Sequence, residues 1–355
     1  MKYINTFKTY ASYEEKLNGG GVDISLPNIS YCEDVKDVNY TPYNLVRFYV
    51  GKISGTTPQT VSIYTDDSTS VDIEVSEGNK WYSYVLPKDK GLYKIESGLY
   101  DDVNEEWSNG IVKKAVVKAN INYNYDENND RYNGIVPWEI TEASFKGSNT
   151  SKVTNMNRMF QFCNGLTSLD LSGWNTSNVT DMGNMFIACT NLTSLDLSSF
   201  DTSNVTDMSA MFFACISLTS LTLSNFNTSN VTNMNSMFGN CSGLISLDVS
   251  NFNTSNVTNM DNMFSGCTSL TSLDLSNFNT SNVTYMTAMF NRCTSLESLD
   301  LSGWDVSNVS DMMYMFIRCS KLKTIRMVGC NSTTVNIIKN KLKEAEIQDQ
   351  VTIIT

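Results

Sequence analysis

Thiols and carboxylates are the side chains in this sequence with chemistry to offer, and both recur at one fixed step. The cysteines are Cys32, Cys163, Cys189, Cys215, Cys241, Cys267, Cys293, Cys319 and Cys330, and from Cys163 to Cys319 every gap is 26 residues. A constant step marks one structural slot used again and again rather than a set of paired bridges. Neighbouring copies would stand roughly 5 Å apart, near the Cα spacing of a disulfide. A small buried apolar slot accounts for cysteine without any reactivity, so free core thiols are expected. No C-x-x-C pair is present, which argues against zinc. The second series is Asp170, Asp196, Asp248, Asp274 and Asp300, with Thr222 and Thr324 placed in the same column. A ribbon of like charges repels itself. It would suit a glycan or a cation, or it is simply a soluble face. The second reading is favoured, because a specific site departs from its repeat.

Histidine is absent. That removes Ser-His-Asp and Cys-His nucleophiles, histidine-held zinc and imidazole acid-base chemistry. Paired carboxylates could cleave glycosides, yet no acidic pair stands apart from the repeats. Glu297 alone among the regular copies is a glutamate, and it falls in a surface threonine column. Neither an enzyme, nor a metal site, nor a cofactor is expected.

The elements that position these residues repeat at the same step. Val153 to Val309, Met156 to Met312, Met159 to Met315 and Phe160 to Phe316 are further columns, which hold fourteen of the 17 methionines. They read as core rather than a metal-binding tract. Val179, Met182, Phe186 and Cys189 are spaced as one helical face. Asn178 is placed as an N-cap, with Asp181 three residues on. Leu195 and Leu197 then point inward from a short strand while Ser194, Asp196 and Ser198 point out. Phe200 fills the corner, and Asp201-Thr202-Ser203 turns the chain onward. Each N-V-T from Asn178 to Asn282, and the N-V-S at Asn308, reads as turn and cap rather than a glycosylation acceptor.

Both ends carry degraded copies. Stepping back 26 from Leu166, Leu169 and Leu171 gives Ile140, Ala143 and Phe145. Stepping forward from Val309, Met312, Phe316 and Cys319 gives Val335, Ile338, Leu342 and Ala345, with Val351 and Ile353 on the strand beyond. Such ends cover the open faces of a solenoid. Nine strands at roughly 4.8 Å per step span about 38 Å.

The string F-x-x-C-x-x-L-x-S-L-D-L-S-x-[FW]-[ND]-T-S-N-V-T-x-M-x-x-M-F resembles the leucine-rich repeat of BspA-like surface proteins, in the Met-Phe-rich version of mycoplasma lipoproteins. The match covers about 138–355. It implies an α/β leucine-rich-repeat solenoid used for attachment on microbial surfaces, and no enzyme. Bacterial members usually carry a signal or lipobox, and neither is readable here.

The first part is a different object. Residues 1–43 read as an extended arm, and 44–137 as a β-rich, sandwich-like domain with a polar linker at Asn128–Gly134. Its short alternating runs include Val46–Val50, Val61–Tyr64, Val71–Val75, Trp81–Val85 and Leu92–Ile95. The stretch Val112–Ala119 could be strand or helix. The opening, L-P-N-I-S-Y-C-E-D followed by N-Y-T-P-Y, resembles the N-termini of virion proteins from phages of gut Bacteroidales, including the crAss-like group. That resemblance implies a docking tag shared by different distal domains.

Composition narrows the partners. Lys plus Arg is 25 against 37 Asp plus Glu, a net charge of −12. This argues against nucleic acid, which requires a cationic surplus, and against anionic lipid. No run of 18 apolar residues spans a membrane and no apolar leader is seen. The resulting expectation is a virion appendage assembled in the host cytoplasm. It would contact other virion proteins through 1–137 and a host-surface glycan or protein through the solenoid. A homotrimer is expected by analogy with other appendages. A bacterial surface adhesin and a structural virion decoration or collar are the alternatives. Ile187, Phe213, Tyr314 and Ile317, turned away from the core face, are the expected partner contacts.

Overall fold

The computed structural model describes residues 44–53, 59–66, 69–75, 77–86, 90–97, 100–101, 106–107, 110–125 and 134–355. The expected arm, Cys32 and nearly all of the 128–134 linker lie outside these residues. The chain divides into two compact units. The first ends at Val153 but also takes in Cys163–Asn175, and the second comprises Thr154–Phe162 and Thr176–Thr355.

In the first unit, alternating apolar runs become β1 (Asn44–Val50), β2 (Gln59–Tyr64), β3 (Ser70–Val75), β4 (Lys80–Leu86) and β5 (Lys94–Ser97). A short hairpin of β6 (Tyr100–Asp101) and β7 (Glu106–Trp107) follows, then β8 (Val112–Lys118), β9 (Glu142–Ser144) and β10 (Ser168–Asp170). One sheet has the order β3-β2-β5 and is antiparallel. The larger one runs β10-β9-β8-β1-β4 and is mixed. Its β8 pairs antiparallel with β1 on one side and parallel with β9 on the other. That two-sided pairing decides the ambiguous Val112–Ala119 run in favour of strand, because both backbone edges find partners. Val46, Phe48, Val50, Val112, Ala115 and Val117 are buried in this sheet. Ile140, Ala143 and Phe145 are buried as the degraded copy requires, and Ala143 stands opposite Leu169 at the 26-residue step.

The second unit is a β-solenoid, built from leucine-rich-repeat-like coils. Its strands are β11 (Ser272–Asp274), β12 (Ser298–Asp300), β13 (Thr324–Arg326) and β14 (Thr352–Ile354) in one parallel sheet. A single helix, α1 (Ser332–Glu344), lies between the last two strands in sequence. Val, Met, Met, Phe and Cys of each copy point inward and are buried, except for Val309 in the last regular copy, which is half-buried. The Phe rings form a continuous stack from Phe160 to Phe316, with centroids 5.7–5.9 Å apart and planes within 8° of parallel. Of the nine expected strand positions, those of Leu195, Leu221 and Leu247 carry no ladder. Leu195 and Leu221 are nevertheless buried there.

The expected helix in each regular copy is not formed. Asn178–Cys189 is a run of tight turns. Spacing explains why. Packed helices need axes about 8–10 Å apart, whereas successive coils here keep close to one strand step, about 4.8 Å. The backbone therefore bonds across coils. Met182, Asn184, Phe186 and Ala188 donate their N–H groups to Asp207, Ser209, Met211 and Phe213 of the next coil at 2.7–3.0 Å. Met185, Ile187 and Cys189 donate back three residues, to Met182, Asn184 and Phe186. Asn178 and Asp181 accordingly cap no helix. The apolar 3-4-3 spacing that suggests a helix arises instead from these linked turns.

Only the last coil uses a helix, and it changes the count. Ile353 pairs with Ile325, a step of 28 residues rather than 26. A helix advances just 1.5 Å per residue, so more residues are needed to cover the same path. Val351 and Ile353 thus do not fall opposite Ile325 and Met327 as the 26-residue step requires. Ile338 and Leu342 are buried where expected, while α1 turns Ser332, Asn336, Lys339, Asn340 and Lys343 to solvent.

The turns hold two residues per coil in the left-handed region, and nearly all are not glycine. One column is Arg158, Asn184, Ala210, Ser236, Asn262, Ala288 and Tyr314. The other is Phe162, Ala188, Ala214, Asn240, Arg292 and Arg318, with Gly266 in the remaining place. A Cβ in this conformation costs about 1–2 kcal/mol, partly offset by the backbone entropy that glycine loses on folding. Ala214, at φ 59, donates its N–H to the Gly239 carbonyl at 2.8 Å, a bond that glycine keeps. Ala214→Gly is therefore expected to stabilise the protein by about 1 kcal/mol. Urea denaturation measures it, and a lower midpoint would show that the turn carries no such strain.

Candidate binding faces of the repeat

The strand-face aspartates are turn-forming groups. Oδ1 of Asp170, Asp196, Asp248, Asp274 and Asp300 accepts the N–H of the serine two residues on, at 2.9–3.0 Å. The hydroxyls and N–H groups of Ser198, Ser250 and Ser276 hold Asp196, Asp248 and Asp274 below the usual carboxylate range. Asp196, Asp248 and Asp274 face solvent and Asp170 and Asp300 are half-buried, but one oxygen of each is committed to the next turn. The column does not continue through Thr324. Register places Thr324 beside Ser298 and Arg326 beside Asp300. Arg326 pairs with Asp300 at 3.4 Å, and Lys323 with Glu297 at 2.8 Å. The acidic ribbon therefore ends in mixed charge, and Lys323 lowers the Glu297 pKa.

The eight described cysteines are free and, from Cys163 to Cys319, fully buried. From Cys189 to Cys319 each Sγ donates to a phenylalanine carbonyl, as in Cys241 to Phe212 at 3.0 Å and Cys267 to Phe238 at 3.1 Å, while Cys330 donates to the Leu301 carbonyl. Burial pushes the Cys215 and Cys267 thiols up to about 12, far from the thiolate that reactivity requires. No cluster of three or more metal-ligating side chains occurs among the described residues. No helix among them is long and apolar enough to cross a membrane.

Two bonding ladders run along the coils. Thr176, Thr202, Thr228, Thr254 and Thr280 are buried, and each hydroxyl donates to a carbonyl in the next coil at 2.8–3.0 Å. The asparagines Asn204, Asn230, Asn256 and Asn282 of N-V-T, and Asn308 of N-V-S, donate Nδ2 to a serine carbonyl of the coil before, at 2.7–2.8 Å.

A family model described as "Mycoplasma protein of unknown function, DUF285" matches residues 137–246 and again 239–352, more than half of the chain. The chain belongs to the DUF285 family. This is the repeat type that BspA-like proteins carry. Comparison with curated proteins gave no match. Among solved structures, the crystal structure of a TLR13–ssRNA13 complex is similar at 17% identity and a TM-score of 0.27. The match covers 54% of this chain and 29% of that one, so the chain spans under a third of that protein's length.

The four expected contact residues of the DUF285 solenoid fall into two groups. Ile187 and Phe213 share a column in adjacent coils and are half-buried. The Phe213 ring lies against Gly239, where an added Cβ would come within 2.8 Å of it. Five coils beyond Ile187, Ile317 is half-buried beside Tyr314, which is 56% exposed.

One column of the DUF285 repeat went unread in the sequence. Asn155, Asp181, Asp207, Asn233, Asn259, Tyr285 and Asp311 form successive parallel bridges, one residue per coil. Oδ1 of Asp181 accepts from Gly183, and that of Asp207 from Ser209. Burial, then the neighbouring Asp207 charge, raises the Asp181 pKa, against hydrogen bonds from Gly183, Asn157 and Asn155 that lower it. An acid whose folded pKa lies above its unfolded one binds more protons when folded. Its stability contribution is greatest at low pH and is lost as pH rises from the ordinary value of 3.8 through the folded pKa. Asp181→Asn, which installs the residue used at Asn233 and Asn259, is expected to raise the melting temperature at pH 7. It should change the melting temperature little near pH 3. A greater gain in acid than at neutrality would contradict the assignment.

Proposed function

We propose that this DUF285 protein is a non-enzymatic attachment protein of a phage virion, held through residues 1–137 and presenting its solenoid to the host surface. The observation that carries the reading is how the repeat uses its polar groups. Its aspartates, asparagines and buried threonines join residues into turns or coils to one another, leaving a rigid display surface without a set of groups converging on a reaction. The opening L-P-N-I-S-Y-C-E-D supplies the virion part of the reading through its resemblance to phage proteins. Purified particles analysed by mass spectrometry should contain the chain, and excess protein should slow adsorption to host cells. Its absence from particles, with display on bacterial cells instead, would favour a BspA-like adhesin, the reading to which family membership itself points. Presence in particles without any effect on adsorption would indicate a structural decoration.

A further inference from the structure

The repeat departs from its own pattern most strongly on the turn side of its last regular coils. Tyr285 stands in the column otherwise filled by Asn and Asp, and Tyr314 in one that holds Asn, Ala and Ser in the coils from Asn184 to Ala288. Tyr285 is 48% exposed, and Met313 beside Tyr314 is also 48% exposed. Hydrogen bonds tie the two coils together: Tyr285 is bridged to Asp311, whose Oδ1 accepts the Met313 N–H at 2.9 Å. Ala288 donates to Met313 at 2.7 Å, Ile317 to Tyr314 at 3.2 Å and Arg292 to Ile317 at 2.8 Å. Arg292 and Arg318, in adjacent coils of one left-handed column, are exposed. The ion pairs in this part of the chain, Glu297–Lys323, Asp300–Arg326 and Lys341–Glu344, involve neither arginine. On α1, Lys339 and Lys343 add two more exposed cations.

The charge is out of keeping with the rest. Between Arg158 and Arg292 there is no Lys or Arg, and there are eight aspartates. The cations from Arg292 onward thus share the coils that expose Tyr285 and Tyr314. Three exposed apolar side chains, Tyr285, Met313 and Tyr314, fall far short of the roughly 800 Å² per partner of a stable protein interface. They suit a narrow chain ligand instead. Tyrosine rings stack on the apolar faces of sugar rings, and a guanidinium takes a carboxylate by paired hydrogen bonds.

We propose that Tyr285, Tyr314, Met313, Arg292 and Arg318 form a binding site for a carboxylated polysaccharide, a polymer of uronic or sialic acid type. The site deepens the attachment reading and rests on it for its biological role, but its binding chemistry is tested separately. Titration of the full chain with polygalacturonate, dextran and poly-glutamate is the experiment. Polygalacturonate should bind, less tightly as salt rises because the charges are exposed, while dextran should not. Poly-glutamate should bind at least about tenfold more weakly, since it offers carboxylates without sugar faces.

Two substitutions return the repeat to its own pattern and so keep the fold. Tyr285→Asn restores the bridging column, and Tyr314→Asn places in the left-handed region a residue that enters it readily. Each should weaken polygalacturonate binding about tenfold, whereas Ile245→Thr, two coils before Glu297 in the same strand-side column, should leave it unchanged. Equal binding of poly-glutamate would overturn the proposal in favour of an acidic protein partner. Failure to bind polygalacturonate, or binding insensitive to both tyrosine substitutions, would overturn it outright. Host-cell adhesion that survives Tyr314→Asn and excess polygalacturonate would overturn this site while leaving the attachment reading in place.

Discussion

Phe238→Ala is expected to destabilise the protein by about 3–5 kcal/mol. Phe238 is fully buried and stacked on both sides, 5.8 Å from Phe212 and 5.8 Å from Phe264. Truncation removes the ring from two neighbours and leaves a cavity between coils held one strand step apart. Those coils cannot collapse into the space without breaking the bonds from Phe238 N–H to Met263 and from Cys267 Sγ to the Phe238 carbonyl. Cys241→Ala, in the same coil, removes only a sulfur and should cost about 1–2 kcal/mol. Phe316 stacks on Phe290 alone among the phenylalanine rings of the column, so Phe316→Ala should cost less than Phe238→Ala. Denaturant titration of the three variants gives the order. A Phe238→Ala loss no larger than that of Cys241→Ala would mean that the stack contributes little beyond filling space.

The stack was legible because it rests on identity at a fixed step. Burial of Val179, Met182, Phe186 and Cys189 could be read from the 26-residue period without knowing the backbone path. The path itself could not. A 3-4-3 apolar spacing fits a helix and also a pair of linked turns. The choice between them is made by the distance to the next coil, which no single repeat contains. Small and polar residues in the left-handed columns, such as Asn184, Ala188 and Gly266, were the available signal, but Arg292 and Tyr314 in the same columns obscure it. The strand-face aspartates show the same limit. Their alternation with serine was plain, whereas the bond from Ser198 N–H to Asp196 depends on a turn that alternation does not specify. Tyr285 went unnoticed because the column it interrupts carries mixed Asn and Asp, and no constant letter draws attention to it.

Thr228→Val should cost about 2–4 kcal/mol although it makes the buried residue more apolar. Thr228 is fully buried, and its hydroxyl both donates to the Asn253 carbonyl at 3.0 Å and accepts the Asn253 N–H at 2.8 Å. Valine has the same shape and leaves both backbone groups without a partner, at about 1–3 kcal/mol each, less the gain from a buried methyl group. Thr228→Ser keeps both bonds and loses only a methyl group, about 0.8 kcal/mol. The valine variant should therefore be the less stable, the reverse of the order that apolar transfer alone gives. Position sharpens the expectation. Thr228 follows Leu221 and precedes Leu247, whose strand positions carry no ladder, so on that side of the coils the threonine is joined not by a ladder but by the Ile245 N–H bond to Thr219 and the Asn251 Nδ2 bonds to the Leu223 and Phe226 carbonyls. Thr280, whose Asp305 partner follows the paired strands β11 and β12, has that ladder beside it. Thr280→Val should accordingly cost less than Thr228→Val. Hydrogen exchange at the Asn253 amide reads the local effect directly. Faster exchange in Thr228→Val than in Thr228→Ser is the expected result, and equal protection in the two would show that the hydroxyl does not hold the coils together.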